Sequence, residues 1–124
     1  MEGQVELLRR RRRRRGDGRG WSPREQAAAP IANGPISEVS VPWNAYLGKW
    51  LMLYLDEERG AVVLWTAKSL TGSWSPAQIV ARGTDYPGLY GTYLHPWSTG
   101  SDLYFTMSQW DPYNVFLMRT KLTR

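Results

Sequence analysis

The spacing of apolar residues along the chain predicts β-strands separated by short polar turns. The segment KWLMLYL, from Lys49 to Leu55, is almost entirely apolar, which is typical of a strand covered on both faces. Within Asp102–Gln109, Leu103, Phe105 and Met107 occupy every second position, as in a strand with one buried face. No window shows the spacing of an amphipathic helix. The predicted strands are Ile36–Trp43, Lys49–Leu55, Ala61–Ala67, Ala77–Ala81, Tyr90–Trp97, Asp102–Gln109 and Asn114–Lys121.

Short motifs recur along the chain with a period of 53 or 54 residues. The recurring pairs are Trp21–Pro23 with Trp74–Pro76, Val41–Trp43 with His95–Trp97, and Ala61–Leu64 with Asn114–Leu117. Three different phases of one period agree to within a residue. The strands are therefore predicted to belong to a structural repeat.

Four short strands in about 50 residues form the unit of a β-propeller blade. The chain is predicted to be all-β and to hold about two four-stranded antiparallel blades of an incomplete ring. We expect one blade at about 36–81, three strands of another at about 90–122, and a trailing outer strand around Trp21–Ile31. Because propellers close with about four to eight blades, residues 21–124 are expected to be the C-terminal piece of a larger propeller. Open blade faces would favour self-association.

The charge of the chain is concentrated near its beginning. Residues 1–20 include the seven consecutive arginines Arg9–Arg15, and they carry the whole formal net charge of +5. Like charges at this density repel one another, so residues 1–20 are predicted to be a disordered tail. The alternative is a nucleic-acid or nuclear-targeting patch. Residues 21–124 are electrically neutral and offer no basic stripe, so nucleic acid is not an expected partner.

The composition also excludes several classes of protein. The chain has no cysteine, which excludes disulfides and every thiolate metal or redox site. No stretch approaches about 18 consecutive apolar residues, so no membrane partner is expected. No apolar segment of a secretory signal follows the arginines, and the localisation of the protein is left open.

Three stretches carry a resemblance to a known family. ISEVSVPWNAYLGKWLMLYLDEERGAVVLWTA, YPGLYGTYLHPW and LYFTMSQWDPYNVFLMRTKL resemble the C-terminal part of the domain of unknown function family 4185, over about residues 20–122. That family is common in actinobacteria, its members are often secreted, and some are endo-D-arabinofuranases acting on mycobacterial arabinan. The resemblance implies a five-bladed glycosidase fold and an arabinan-type polysaccharide as partner. Because the blades before Trp21 are absent, we expect the chain alone to be inactive.

Candidate catalytic residues follow from the chemistry of glycoside hydrolysis, which needs two carboxyl groups flanking one bond. Glu38 opens the predicted innermost strand of the full blade, where a propeller lines its channel. Asp111 lies in the connection Gln109–Asn114. The alternatives are an exposed residue at a strand end for Glu38 and a turn-forming Asp-Pro pair for Asp111.

Candidate sugar-binding residues lie in the last predicted blade. Trp110 and Tyr113 would offer flat faces to furanose rings, and Asn114 would bond to hydroxyls. His95 and Trp97 lie on its inner strand, where the resemblance implies a histidine that touches the sugar or a divalent cation on the propeller axis. The alternative for His95 is a hydrogen-bonded residue without a ligand. A competing function for the whole chain is a non-catalytic carbohydrate-binding or self-associating interaction module.

Overall fold

The computed structural model describes residues 7–9 and 20–124, in two compact units, Met1–Asn33 and Gly34–Arg124. In the first unit, β1 (Leu7–Arg9) pairs antiparallel with β2 (Gly20–Ser22). A 3-10 turn follows at Glu25–Ala27. Most of the predicted disordered tail, residues 1–20, lies outside the described residues, and its disorder stays a prediction.

The predicted outer strand around Trp21–Ile31 is wrong beyond Ser22. Pro23 has no backbone N–H to extend the pairing. The N–H of Arg24 donates to Ser22 Oγ over 3.2 Å rather than to a neighbouring strand. The backbone then turns, with the N–H of Ala27 bonded to the carbonyl of Arg24 over 3.0 Å.

The second unit consists of two antiparallel sheets whose strands follow one another in sequence order. The four-stranded sheet contains β3 (Trp43–Asn44), β4 (Lys49–Asp56), β5 (Ala61–Ala67) and β6 (Gln78–Arg82). The three-stranded sheet contains β7 (Leu89–Leu94), β8 (Asp102–Gln109) and β9 (Val115–Lys121). The described residues include no α-helix and form no closed ring. The predicted all-β class is thus confirmed, with antiparallel sheets of four and three strands and no closed ring among the described residues, and it is consistent with a partial propeller.

The innermost strands are shorter than predicted. Of Ile36–Trp43, Ser40 forms an isolated bridge to Leu53, the Pro42 carbonyl accepts the N–H of Leu51 over 2.9 Å, and Trp43 begins β3. Pro42 cannot donate to a ladder. The hydroxyl of Ser37 donates to the carbonyl of Leu55 over 2.9 Å, so a side chain replaces a backbone bond there. The prediction of a regular strand over the whole segment is therefore wrong.

The inner strand of the second blade is shortened in a similar way. Tyr90–Trp97 was expected as one strand, but β7 ends at Leu94 and residues 96–99 form a turn. Pro96 cannot extend the ladder. The register of β7 against β8 also shifts between Tyr90 and Tyr93, around Gly91 with its φ of 59°.

A shared apolar core joins the two sheets. Leu51 and Leu53 of β4 belong to the same buried cluster as Leu103, Phe105 and Met107 of β8. These five side chains are at most 1% exposed, so the predicted burial of both strands is confirmed. Burial of this kind stabilises by about 25 cal/mol for each Å² of apolar surface removed from water. The sheets therefore pack face to face, as neighbouring blades do.

Two side chains connect the sheets by hydrogen bonds. The N–H of Leu94 donates to Ser40 Oγ over 3.0 Å. Asn44 Nδ2 donates to the carbonyls of Ser98 and Gly100 over 2.9 and 3.0 Å. Ser40 and Leu94, like Asn44 and Ser98, are 54 residues apart. This separation matches the sequence period, so equivalent points of successive repeats meet across the interface.

Tyr54 is expected to make the stability of the folded unit depend on pH in the alkaline range. Burial raises the pKa of Tyr54 above its ordinary 10.0, helped by the charge of Asp56 and only partly offset by Trp65 and Arg59. The Trp65 indole N–H does not reach full hydrogen-bond geometry with any described group. Between pH 10.0 and the raised pKa, the unfolded chain loses the phenol proton of Tyr54, whereas the folded chain keeps it.

We therefore expect the stabilising contribution of Tyr54 to be complete below about pH 10 and to be lost as the pH rises through the folded-state pKa. Urea denaturation of the wild type and of Tyr54→Phe, at closely spaced pH values from 8 to 11.5, measures this. The wild type should lose stability more steeply than Tyr54→Phe above pH 10. Parallel curves for the two proteins would contradict the assignment.

No helix among the residues that the structure describes is long and apolar enough to cross a bilayer.

Candidate functional site

The antiparallel strand order places the loops of the second unit at two opposite ends of the sheets. One end, called here the upper end, holds the turns at 57–60, 83–88 and 110–114. The other, called the lower end, holds the turns at 45–48, 68–77 and 95–101. Each predicted site residue can be assigned to one of these ends.

Three aromatic rings form a shelf at the upper end of the second sheet. The rings of Tyr90 and Trp110 are stacked, with centroids 4.7 Å apart and planes 24° apart. The Tyr113 ring lies 6.5 Å from Tyr90 and 6.0 Å from Trp110. Trp110 and Tyr113 are 63% and 69% exposed, so ring faces remain open to solvent. We call Tyr90, Trp110 and Tyr113 the aromatic shelf.

Backbone contacts hold the shelf in place. The N–H of Trp110 donates to the carbonyl of Gly88, and the N–H of Tyr113 to that of Gln109, both over 3.0 Å. Tyr113 has a φ of 68°, in the left-handed region that a tyrosine rarely adopts. The turn between the two rings contains a cis peptide bond at Asp111-Pro112. The loop thus fixes two large side chains on the same side of β7.

Gly88 precedes the shelf in a backbone conformation that favours glycine. It has a φ of 71°, which L side chains rarely adopt, whereas a Cβ placed on it would meet Trp110 at 3.4 Å, an ordinary van der Waals contact. Sequence reasoning did not select Gly88 or Tyr90 as site residues. The available signal was the glycine-containing connection Tyr86–Gly91 directly before the inner strand.

A cleft of about 340 Å³ lies beside the shelf, between the two sheets. The first sheet contributes Leu55 and Glu57 to its lining, and the second contributes Tyr90 and Trp110. The cleft therefore combines an apolar wall, aromatic surface and one acidic side chain. Such a combination suits a ligand with hydroxyl groups and apolar faces.

Both candidate catalytic carboxylates lie at this upper end. Asp111 is exposed within the shelf turn, and Asn114 is exposed at its end. Glu38 is exposed next to Ser37, whose bond to the Leu55 carbonyl places that segment at the upper end of the first sheet. Within the described part of the chain, neither Glu38 nor Asp111 makes a hydrogen bond or an ion pair through its carboxylate.

The remaining candidates form a separate cluster at the lower end. The rings of His95 and Trp97 lie 4.3 Å apart, and Trp97 packs edge-on against Tyr104 at 6.1 Å. A groove of about 450 Å³ runs beside them, between residues 39–43 and 93–99. Tyr90 and His95 are separated along β7, whose six residues span about 17 Å at about 3.3 Å per residue. The structure therefore places His95 and Asp111 at opposite ends of the second sheet.

His95 Nδ1 accepts the backbone N–H of Trp97 over 3.2 Å, as in the hydrogen-bonded alternative for this residue. Its expected role as a cation ligand stays a prediction. Among the residues that the structure describes, no three His, Asp or Glu side chains cluster as metal ligands.

Comparison with known proteins assigns a family. The family described as Domain of unknown function (DUF4185) matches residues 3–119. This chain belongs to the DUF4185 family. The match begins well before the expected start near residue 20, and it includes the arginine run.

Two fungal proteins are similar to part of this chain. They are Notoamide biosynthesis cluster protein J of Aspergillus sp. (strain MF297-2) and Notoamide biosynthesis cluster protein J' of Aspergillus versicolor. Each is 36% identical to this chain over 100 residues, covering 77% of this chain and 26% of the relative. The chain thus spans about a quarter of the length of these relatives. An actinobacterial setting, a glycosidase activity and an arabinan substrate stay predictions.

Proposed function

We propose that this DUF4185 chain supplies a carbohydrate-binding surface, and that its aromatic shelf binds arabinofuranose-type oligosaccharides. The observation that carries the proposal is the backbone-fixed aromatic shelf beside a cleft, in which Trp110 and Tyr113 are exposed and Tyr90 is half-buried. Apolar sugar faces stack on such rings, while Asn114 and Asp111 offer hydrogen-bond partners to hydroxyls. The resemblance to arabinan-cleaving members of the family supports the choice of sugar.

The charge around the shelf supports a neutral ligand. Six of the seven acidic residues of the second unit lie at or next to the upper end: Glu38, Asp56, Glu57, Glu58, Asp85 and Asp111. Arg59 is ion-paired with Asp56, and the other five carboxylates repel an anionic polysaccharide and leave a neutral one unaffected. Arabinan has no charged groups and therefore suits this end of the molecule.

Glu38 and Asp111 are proposed to be the two reacting carboxylates of the parent glycosidase. This chain alone is proposed to bind the oligosaccharide without cleaving it. Glycoside hydrolysis requires an acid and a base or nucleophile held on the two sides of one bond. Neither carboxylate is oriented by a hydrogen bond from the described residues. Without orientation, proton transfer and nucleophilic attack lose most of their advantage.

Calorimetric titration with arabinan oligosaccharides, paired with a reducing-end assay, tests the proposal. We expect saturable binding without release of new reducing ends. Trp110→Ala should weaken binding about ten-fold or more, because it removes the largest ring of the shelf. Trp97→Ala removes a similarly exposed ring (65% against 63%) at the lower end, and should change binding less than about two-fold.

The reverse pattern would assign sugar binding to the lower-end cluster around His95, against the proposal. Absence of saturable binding in the wild type would also contradict it. Turnover by the wild-type chain would contradict the non-catalytic part alone.

The exposed outer face of the second sheet favours a second candidate, self-association. Tyr93 and Leu117 lie in one row across β7, β8 and β9, on either side of Thr106. They are 53% and 57% exposed, and neighbouring Val115 is 71% exposed. A second copy of the chain could cover this apolar row.

Sedimentation equilibrium should then show a monomer–dimer equilibrium that Leu117→Lys shifts to the monomer. A monomer at every protein concentration would exclude self-association through this face.

A further inference from the structure

A second cleft, of about 580 Å³, lies between the sheets at the lower end. At this end, side chains on the core-facing side of the strands are polar. Lys49 is on the same face of β4 as Leu51 and Leu53 of the core, because alternate residues share a face. Thr66 lies opposite Leu51, and Thr120 opposite Leu103. The apolar core therefore ends in an open cleft that hydroxyls and an ammonium group line.

The charged side chains of this lower cleft are basic. Lys49, Lys121 and Arg124 contribute to the lining, and no aspartate or glutamate does. Within the described ranges, the one ion pair is Arg59 with Asp56, at the upper end, so no carboxylate neutralises Lys49. The cleft lining is consequently positive, although the seven basic and seven acidic side chains of the second unit balance overall.

Two contacts with Tyr46 hold the Arg124 side chain in place. Its guanidinium donates to the carbonyl of Tyr46 over 3.1 Å and lies 4.5 Å from the centroid of the Tyr46 ring. These contacts use one nitrogen and one face of the planar group, and leave further N–H donors for a ligand. Lys121 also contributes to the lining, but with its register partner Asp102 it is on the sheet face opposite to that of Leu103. Lys121 is therefore not part of the ligand-binding set.

We propose that the lower cleft binds the anionic group, a carboxylate or a phosphate, of a small ligand. Lys49 and Arg124 supply the charge and the donors that such groups require. Thr66, Gln78 and Thr120 supply hydroxyl and amide partners for the rest of the ligand. This site is separate from the aromatic shelf, whose surroundings are acidic, so the two ends of the molecule select ligands of different charge.

The test uses the full chain at constant ionic strength, with inorganic phosphate, glucuronate and neutral glucose as probes. Chemical-shift titration should show saturable binding of phosphate or glucuronate with a Kd in the range of about 1 mM, and none of glucose. Lys49→Gln and Arg124→Gln should each weaken binding about ten-fold. Lys49→Arg, which keeps the charge, should retain most of it.

Lys68→Gln is the matched control, because Lys68 is an exposed lysine at the same end that does not line this cleft. It should change binding less than about two-fold. An equal loss in Lys68→Gln would mean general surface attraction and would overturn the proposal. So would the absence of saturable binding by either anion. Saturation by phosphate alone or by glucuronate alone would support the site and identify which anionic group it accepts.

Discussion

Leu103→Ala is expected to lower the free energy of unfolding by about 3 kcal/mol. Leu103 is 0% exposed and belongs to the cluster that joins the two sheets. Its truncation removes apolar contact and leaves a cavity between β4 and β8 that the rigid sheets cannot fill. Urea denaturation followed by tryptophan fluorescence measures the change.

Leu117→Ala is the matched control for this experiment. Leu117 is on the neighbouring strand β9 but is 57% exposed on the outer face. The same chemical change should there cost less than about 0.5 kcal/mol. Equal effects of the two substitutions would contradict a core shared by the two sheets.

Asn44→Ala is expected to be similarly damaging, by about 3 kcal/mol, because it leaves several buried groups unpaired. Asn44 is 0% exposed. Besides its two bonds to the carbonyls of Ser98 and Gly100, its Oδ1 accepts the N–H of Leu47 over 2.8 Å. The Asn44 side chain thus forms hydrogen bonds both within its own turn and to the next repeat. Thermal and urea denaturation measure the loss.

Two further variants identify which bonds of Asn44 matter. Asn44→Asp keeps the acceptor for Leu47 but places an anion against two carbonyl oxygens, so it should destabilise at least as much as Asn44→Ala. Asn114→Ala changes an exposed asparagine and should cost less than about 0.5 kcal/mol. A mild effect of Asn44→Asp would show that the contact between the sheets contributes little.

The long strands of both sheets were predicted well from the sequence, because apolar spacing and the repeat period report directly on burial. β4, β5, β8 and β9 agree with the predicted segments to within about one residue. The inner strands agreed less well, because Pro42 and Pro96 cannot donate to the ladder and the Ser37 side chain replaces a backbone bond. Such substitutions depend on which groups meet in three dimensions.

Proximity in sequence grouped only part of the candidate site, and the binding role of its residues stays a prediction. Trp110, Tyr113, Asn114 and Asp111 share one turn, so proximity in sequence was sufficient to group them. His95 is only five residues from Tyr90, yet an extended strand carries it to the other end of the sheet. The polar lining of the lower cleft depends on the packing of one sheet on the other, which no local pattern encodes.

The central claim, that sugar binding occurs at the aromatic shelf, is tested most directly by the indole N–H signals of the seven tryptophans during a titration with arabinan oligosaccharides. The account predicts that the Trp110 signal moves progressively to saturation while the Trp97 signal stays in place. Movement of Trp97 with Trp110 unchanged, or no movement of either, would contradict it.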